Sequence, residues 1–109
     1  MATVTAKRLA VQFVADSSTD IYEVPASTTT VIHSIVLHNI NTTTETVKLY
    51  HRVSTTDSLF YNMDIVADDT VHIELPGEGM VMETTDILKG ETTTASKVNI
   101  QVNGSTITA

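Results

Sequence analysis

Apolar and polar residues alternate along most of the chain, and short polar stretches interrupt the alternation roughly every 8–12 residues. A period of two is typical of β-strands with one face in a core and the other in water, and no window has convincing helical spacing. The alternation predicts strands over residues 8–14, 19–24, 31–40, 46–53, 59–66, 70–75, 80–84, 87–89 and 97–102. We therefore predict an all-β fold, a single antiparallel β-sandwich of about eight strands, either jelly-roll or immunoglobulin-like.

The predicted organisation is one sandwich domain over residues 1–109, with residues 1–8 as a candidate N-terminal arm. Residues 76–79, Pro-Gly-Glu-Gly, predict a turn between two strands. Asn103-Gly104 is a strong signal for a two-residue hairpin, which would fold residues 105–108 back onto the last strand.

The strand predicted over residues 31–40 is unusual because both of its faces are substantially apolar. Under strict alternation the two faces are Val31, His33, Ile35 and Leu37 on one side and Ile32, Ser34, Val36, His38 and Ile40 on the other. A hairpin with strand 46–53, pairing Leu37 with Leu49 and Ile35 with His51, would join the first face to the core. The second face would then lie beside Lys48, Tyr50 and Arg52.

Two interpretations of that second face remain open. A loop or the N-terminal segment covers it within the monomer, or another subunit covers it, since exposed apolar rows usually mark interaction sites. The second interpretation gives a candidate subunit interface formed by Ile32, Val36, Ile40, Tyr50 and Arg52.

Composition narrows the function classes further. The 109 residues include no cysteine, which excludes cysteine-based zinc ribbons, disulfide scaffolds, thioredoxin-type redox proteins and cysteine hydrolases. The 13 acidic and 6 basic residues give a net charge of −7, which disfavours a nucleic-acid partner. Threonine, valine and isoleucine together supply 42 residues, and these β-branched types favour sheets. We expect neither a targeting segment nor a membrane partner, because no apolar run is long enough to span a bilayer.

The sequence contains no pattern that favours catalysis or metal binding. The four histidines lack the spacing of converging zinc ligands, although His51 could approach His33 across the predicted hairpin. Asp64, Asp68 and Asp69 form an acidic stretch that we interpret as a solvated turn. No nucleophile elbow or phosphate-cradling loop occurs. We therefore expect no catalytic residue, no metal and no cofactor, and a protein that is not an enzyme.

Three stretches in order resemble small β-sandwich virion structural proteins of tailed bacteriophages and prophages. Residues 21–39 contain the pattern Tyr-x-Val-Pro-Ala, Thr, then Val-Ile-x-Ser-Ile-x-Leu-x-Asn, and residues 47–50 follow a Thr-rich loop. Residues 75–104 resemble the family's ending, Asp-x-Leu-x-Gly, a Ser/Thr-rich loop and Val-Asn-x-x-Val-x-Gly. The chain departs from the family at residues 76–80, where a plainer connection would be expected.

The resemblance implies a capsid decoration or cement protein, or a neck or tail-associated subunit. It implies a location in the virion after synthesis in the host bacterial cytoplasm, with major capsid or tail and neck proteins as partners and a homo-oligomeric state. Residues 8–14 are a natural arm either for adding a strand to a partner's sheet or for packing an apolar face against a partner. An alternative is a small carbohydrate-binding module or the receptor-binding tip of a tail fibre, which the low aromatic content of 5% disfavours.

Overall fold

The computed structural model describes residues 3–75 and 79–108, and these residues form nine β-strands and no helix. None of the described residues therefore belongs to a helix that could cross a membrane. The strands are β1 Thr3–Phe13, β2 Thr19–Glu23, β3 Thr28–Asn39, β4 Glu45–Val53, β5 Thr56–Ile65, β6 Thr70–Glu74, β7 Met80–Met82, β8 Ile87–Thr92 and β9 Val98–Thr108.

The strands form two antiparallel sheets. The first sheet has the order β1-β9-β3-β6, with β7 also paired to β3, and the second has the order β2-β8-β4-β5. Because β6 and β7 pair with successive parts of β3, they act as one interrupted strand. Counted in this way there are eight strands, and the first pairs with the last, the second with the second last, and so on inward. This rolled hairpin is a jelly roll, so the predicted all-β sandwich is confirmed and its type is settled.

The two sheets are held together by one cluster of buried aliphatic side chains. Full burial of each such side chain contributes about 1.5–3 kcal/mol to folding. The cluster consists of Val14, Ile21, Val24, Ile32, Ile35, Leu37, Val47, Leu49, Ile65, Met82, Leu88, Val98, Ile100 and Val102.

The predicted hairpin between the third and fourth strands is wrong, because β3 and β4 lie in different sheets. Leu37 of β3 and Leu49 of β4 enter the shared core from opposite sides instead of lying next to each other. Buried Asn39 holds the crossing in place. Its side-chain amide donates to the carbonyls of Thr43 and Ile65, and its oxygen accepts from the Asn41 N–H.

A β-bulge in the middle of β3 also overturns the strict alternation of its faces. The register with β9 shifts between Ile32 and Ser34, so the bulged residue is His33. Ile32 and Ile35, three positions apart, are consequently both buried in the core. The carbonyl of His33 accepts a hydrogen bond from Leu75 N–H at 3.0 Å, at the point where β6 ends. After the bulge, Val36 and His38 face outward.

The predicted hairpin at Asn103-Gly104 is also wrong, since β9 runs without interruption from Val98 to Thr108. Gly104 instead allows the backbones of β9 and β3 to lie close together. A Cβ atom at Gly104 would lie 2.1 Å from the carbonyl oxygen of Val31, on β3.

Residues 3–8 form the first half of β1 and pair with the end of β9. Of the predicted turn at residues 76–79, Pro76, Gly77 and Glu78 lie outside the described residues.

The close contact between Gly104 and the Val31 carbonyl leaves no room for even a methyl side chain at position 104. We predict that Gly104→Ala lowers the free energy of unfolding by at least about 1–3 kcal/mol, because β9 must move away from the β3 backbone. The matched control is Ser105→Ala, which should change stability by no more than about 0.5 kcal/mol. Urea denaturation followed by circular dichroism measures both, and equal stability of the two variants would contradict the proposed crowding.

Candidate assembly interface

The outer face of the first sheet carries cross-strand rows of side chains from β1, β9, β3 and β6. Strand pairing fixes these rows, because residues in register point to the same side of a sheet. Two adjacent rows combine apolar and polar residues. They are Val11, Gln101, Val36 and His72 in one row and Phe13, Asn99, His38 and Thr70 in the next.

These rows border an open groove of about 210 Å³, which we call the β3 groove. The β3 groove is lined by Val11, Val36, His38, Ile40, Asn99 and Gln101. Val11 is 50% exposed and Ile40 is 45% exposed, so apolar surface remains open to solvent at two sides of the groove. The imidazole of His38 is held by a 2.6 Å hydrogen bond between Nδ1 and the hydroxyl of Thr70.

The structure brings together only two of the five predicted interface residues. Val36 and Ile40 both line the β3 groove. Ile32 is 0% exposed and belongs to the core, because the bulge at His33 turns it inward, so its predicted place on an outer face is wrong. Tyr50 and Arg52 lie on the outer face of the second sheet, because β4 crosses to that sheet.

The outer face of the second sheet satisfies many of its polar groups internally. Arg52 contacts Asp57 with 3.1 Å between Nη1 and Oδ1. Tyr50 donates its hydroxyl hydrogen to the Glu91 carboxylate. Tyr50 and Arg52 therefore have polar partners within the monomer.

The histidines are distributed over separate environments. The predicted approach of His51 to His33 is wrong, since His51 lies on β4 and its Nε2 is 3.0 Å from Oδ2 of Asp86. That carboxylate also accepts the Glu83 N–H, which closes the turn before β8. His33 is exposed on the first sheet, 3.5 Å from the hydroxyl of Ser105. Across residues 3–75 and 79–108, no three histidine or acidic side chains are grouped to hold a metal ion.

The acidic stretch around Asp68 forms a tight turn between β5 and β6. Asp68 has a positive φ of 60°, and the Asp69 N–H donates to the carbonyl of Val66. The carboxylate of Asp69 accepts the N–H of Thr70, and the Asp64 carboxylate accepts the hydroxyl of Thr46. Asp69 therefore forms a local hydrogen bond at the turn, whereas Asp64 bonds across to the neighbouring strand β4.

Sequence reasoning missed the contribution of β1 and β9 to the groove. Asn99 and Gln101 alternate with the core residues Val98, Ile100 and Val102, a pattern that by itself predicts only a solvent-facing side of the last strand. Val11 and Phe13 alternate with Ala10 and Gln12, a signal that β1 has apolar residues on the side facing away from the core. Their importance depends on the pairing of β1 with β9, which local patterns do not specify.

Neither a protein-family model nor a curated protein matches the sequence. Among solved structures, the chain is similar to a subunit of Bacillus endospore appendages, described as disulfide-linked pili, with a TM-score of 0.56 and 13% identity. That match covers 99% of this chain and 90% of the pilus chain. A chain from infectious bursal disease virus, Gx strain, matches with a TM-score of 0.51 and 8% identity, covering 98% of this chain. This chain spans only 37% of that viral chain. At these identities the matches establish a shared fold.

One pH-dependent property follows from the second sheet. The hydrogen bond from Tyr50 to Glu91, together with partial burial and the nearby negative charge, raises the pKa of Tyr50 above its ordinary value of 10.0. The folded state thus favours the neutral hydroxyl. This stabilisation is present below the unfolded pKa and is lost as the pH rises through the folded pKa.

We predict that the wild-type protein loses stability relative to Tyr50→Phe as the pH rises above 10.0. Burial also raises the pKa of Tyr61, so the comparison with the variant isolates the effect of Tyr50. Glu91→Gln, which removes the negative acceptor, should give a smaller pH dependence than the wild type. Urea titrations across the alkaline range measure the difference, and a pH-independent difference between wild type and Tyr50→Phe would contradict the prediction.

Proposed function

We propose that this chain is a non-enzymatic structural protein of a bacteriophage virion, a capsid decoration or head–tail accessory subunit that docks on coat or tail proteins. The observation that carries the proposal is the β3 groove. Its exposed apolar residues, Val11 and Ile40, flank Val36, and the polar side chains of His38, Asn99 and Gln101 line the rest of the groove. Exposed apolar surface with a polar border is characteristic of protein interaction sites.

The groove lies on the outer face of the first sheet. Gln101 and Asn99 project from β9, which is paired on both sides along its length, so their positions are fixed by the sheet. Amide and imidazole groups at the groove can form hydrogen bonds with a partner while the valines and Ile40 lose contact with water. The arrangement suits a docking surface of modest area, and many copies on a symmetric particle would compensate for weak individual contacts.

The two fold relatives support an assembly role. One is described as a disulfide-linked pilus and the other as infectious bursal disease virus. The pili are described as disulfide-linked, whereas this chain has no cysteine. We therefore propose that it assembles through noncovalent contacts, with major capsid or tail and neck proteins and with other copies of itself, in a virion formed in the host bacterium.

The buried acidic groups also fit a structural role. Glu45 accepts hydrogen bonds from the Asn41 side chain and from the Thr94 N–H, and so fastens two loops to each other. Asp86 accepts the Glu83 N–H and contacts His51. Both carboxylates are engaged in holding loops and turns, which supports the proposal that the protein does not catalyse a reaction.

We predict that the wild-type chain is found by mass spectrometry in density-purified phage particles and that Val36→Asp is lost from them. A charge in the β3 groove would have to be buried at the contact without a partner, which is costly. Val11→Asp, at a more exposed position of the same groove, should have the same effect.

The matched control is Val81→Asp, since Val81 is 45% exposed on the same sheet and lies outside the β3 groove. Circular dichroism of the purified variants verifies that each is folded. Absence of the wild-type chain from particles, or incorporation of folded Val36→Asp and Val11→Asp at wild-type levels, would overturn the proposal.

A further inference from the structure

The sandwich has two long edge strands and several short ones. In the first sheet, the edges are β1, with 11 residues, and the interrupted strand formed by β6 and β7, with 5 and 3 residues. In the second sheet, the edges are β2, with 5 residues, and β5, with 10 residues. An edge strand presents unpaired N–H and carbonyl groups, and short edges are a common protection against pairing with other chains. Only β1 and β5 have the length for extensive pairing among the described strands.

These two edges face opposite sides of the molecule. β1 lies beside β2, at one side of the sandwich, so the sheet orders place β5 and β6 at the other side. A contact between β1 of one copy and β5 of another would therefore leave a free β1 and a free β5 at the two ends of the pair. Further copies can add in the same way.

The charges of the two edges are opposite. Residues 1–15 contain Lys7 and Arg8 and no acidic residue. Residues 53–88 contain eight acidic residues and no lysine or arginine, and two of these acids, Asp57 and Asp64, are on β5. The ion pairs formed among the described residues involve neither Lys7 nor Arg8. On β5, Asp57 is 3.1 Å from Arg52 of β4, whereas Asp64 accepts the Thr46 hydroxyl and has no ion-pair partner among the described residues. On neighbouring β2, Asp20 is 3.7 Å from Lys89.

Charge therefore discriminates between the ways in which edges could pair. Two β1 edges together would gather four positive charges, and two β5 edges would bring their Asp64 carboxylates together, both of which are unfavourable. A β1 edge beside a β5 edge brings opposite charges together. Apolar side chains are available on both strands outside the β3 groove, with Val4 and Phe13 exposed on β1 and Leu59 and Met63 exposed on β5.

We propose that copies of this chain associate head to tail, with β1 of one copy adding as a strand to β5 of the next. The contact joins two different surfaces of the same chain, so repetition gives a closed ring or an open filament. The inference rests on the proposed assembly function and specifies the contact between copies, whereas the β3 groove remains for a different partner.

A charge-exchange experiment tests the pairing with the purified full chain. Lys7→Glu/Arg8→Glu gives a chain with two acidic edges, and Asp57→Lys/Asp64→Lys gives a chain with two basic edges. Each double variant alone should sediment as a monomer at concentrations where the wild type associates. An equal mixture should recover association, because every β1 edge then finds a β5 edge of opposite charge. Wild-type association should also weaken at high ionic strength.

Matched controls change the net charge equally at other places. Lys48→Glu/Lys97→Glu is the control for the acidic variant, and Asp16→Lys/Glu23→Lys is the control for the basic variant. Both controls should retain association. Lys7→Gln/Arg8→Gln provides a milder test if circular dichroism shows that a charge-reversed variant is unfolded, and it should weaken association without a change in fold.

Three results would overturn the proposal. The wild-type chain could be monomeric at all concentrations, the folded edge variants could associate as well as the wild type, or the mixture of variants could fail to associate. Incorporation of the wild-type chain into phage particles is measured separately. If the edge contact fails but the wild-type chain is still incorporated into particles, the head-to-tail pairing is rejected and the proposed function stands.

Discussion

The β-bulge at His33 determines which side chains of the central strand β3 enter the core. It places both Ile32 and Ile35 inside, where each contributes about 1.5–3 kcal/mol through burial. The carbonyl of the bulged residue is satisfied by Leu75, at the end of β6, and pairing with β3 resumes on the other side of the bulge through β7. The burial of Ile32 follows from this one extra residue, whereas Val36 points outward because it alternates with buried Ile35 and Leu37.

The separation of β3 and β4 into two sheets has a similar influence on the surfaces. Because the two strands lie in different sheets, their buried side chains enter the core from opposite sides. Each strand also contributes to a different outer face of the sandwich, and the two faces differ in chemistry. The face built on β3 has apolar patches at the groove, whereas the face built on β4 has paired charges such as Arg52 and Asp57. Asn39 and Glu45, both buried, fasten the loops at the crossing through hydrogen bonds with backbone and side-chain groups. The difference between the faces is thus a consequence of how the chain crosses.

Alternation alone was sufficient to predict the strands and the sandwich, because positions such as Val98, Ile100 and Val102 repeat with a period of two on the buried side. It failed where a long-range partner changes the local rule. The bulge in β3 depends on its pairing with β9 and β6. Asn103-Gly104 predicts a turn from local sequence, whereas Gly104 in fact allows β9 to lie close to β3. The same reason applies to the candidate interface: Val36 and Ile40 do lie in one groove, and the lining residues contributed by β1 and β9 were missed.

The central claim is that the β3 groove becomes buried in an assembled particle, and thiol labelling tests it most directly. The chain has no cysteine, so a single substitution creates a unique probe. Val11→Cys lies in the β3 groove and Val81→Cys lies outside it on the same sheet, at similar exposed fractions of 50% and 45% in the free chain. We predict that Val11→Cys is labelled rapidly in the free protein and is protected in the particle, whereas Val81→Cys is labelled at similar rates in both. Equal labelling of Val11→Cys in the free protein and in the particle would contradict it.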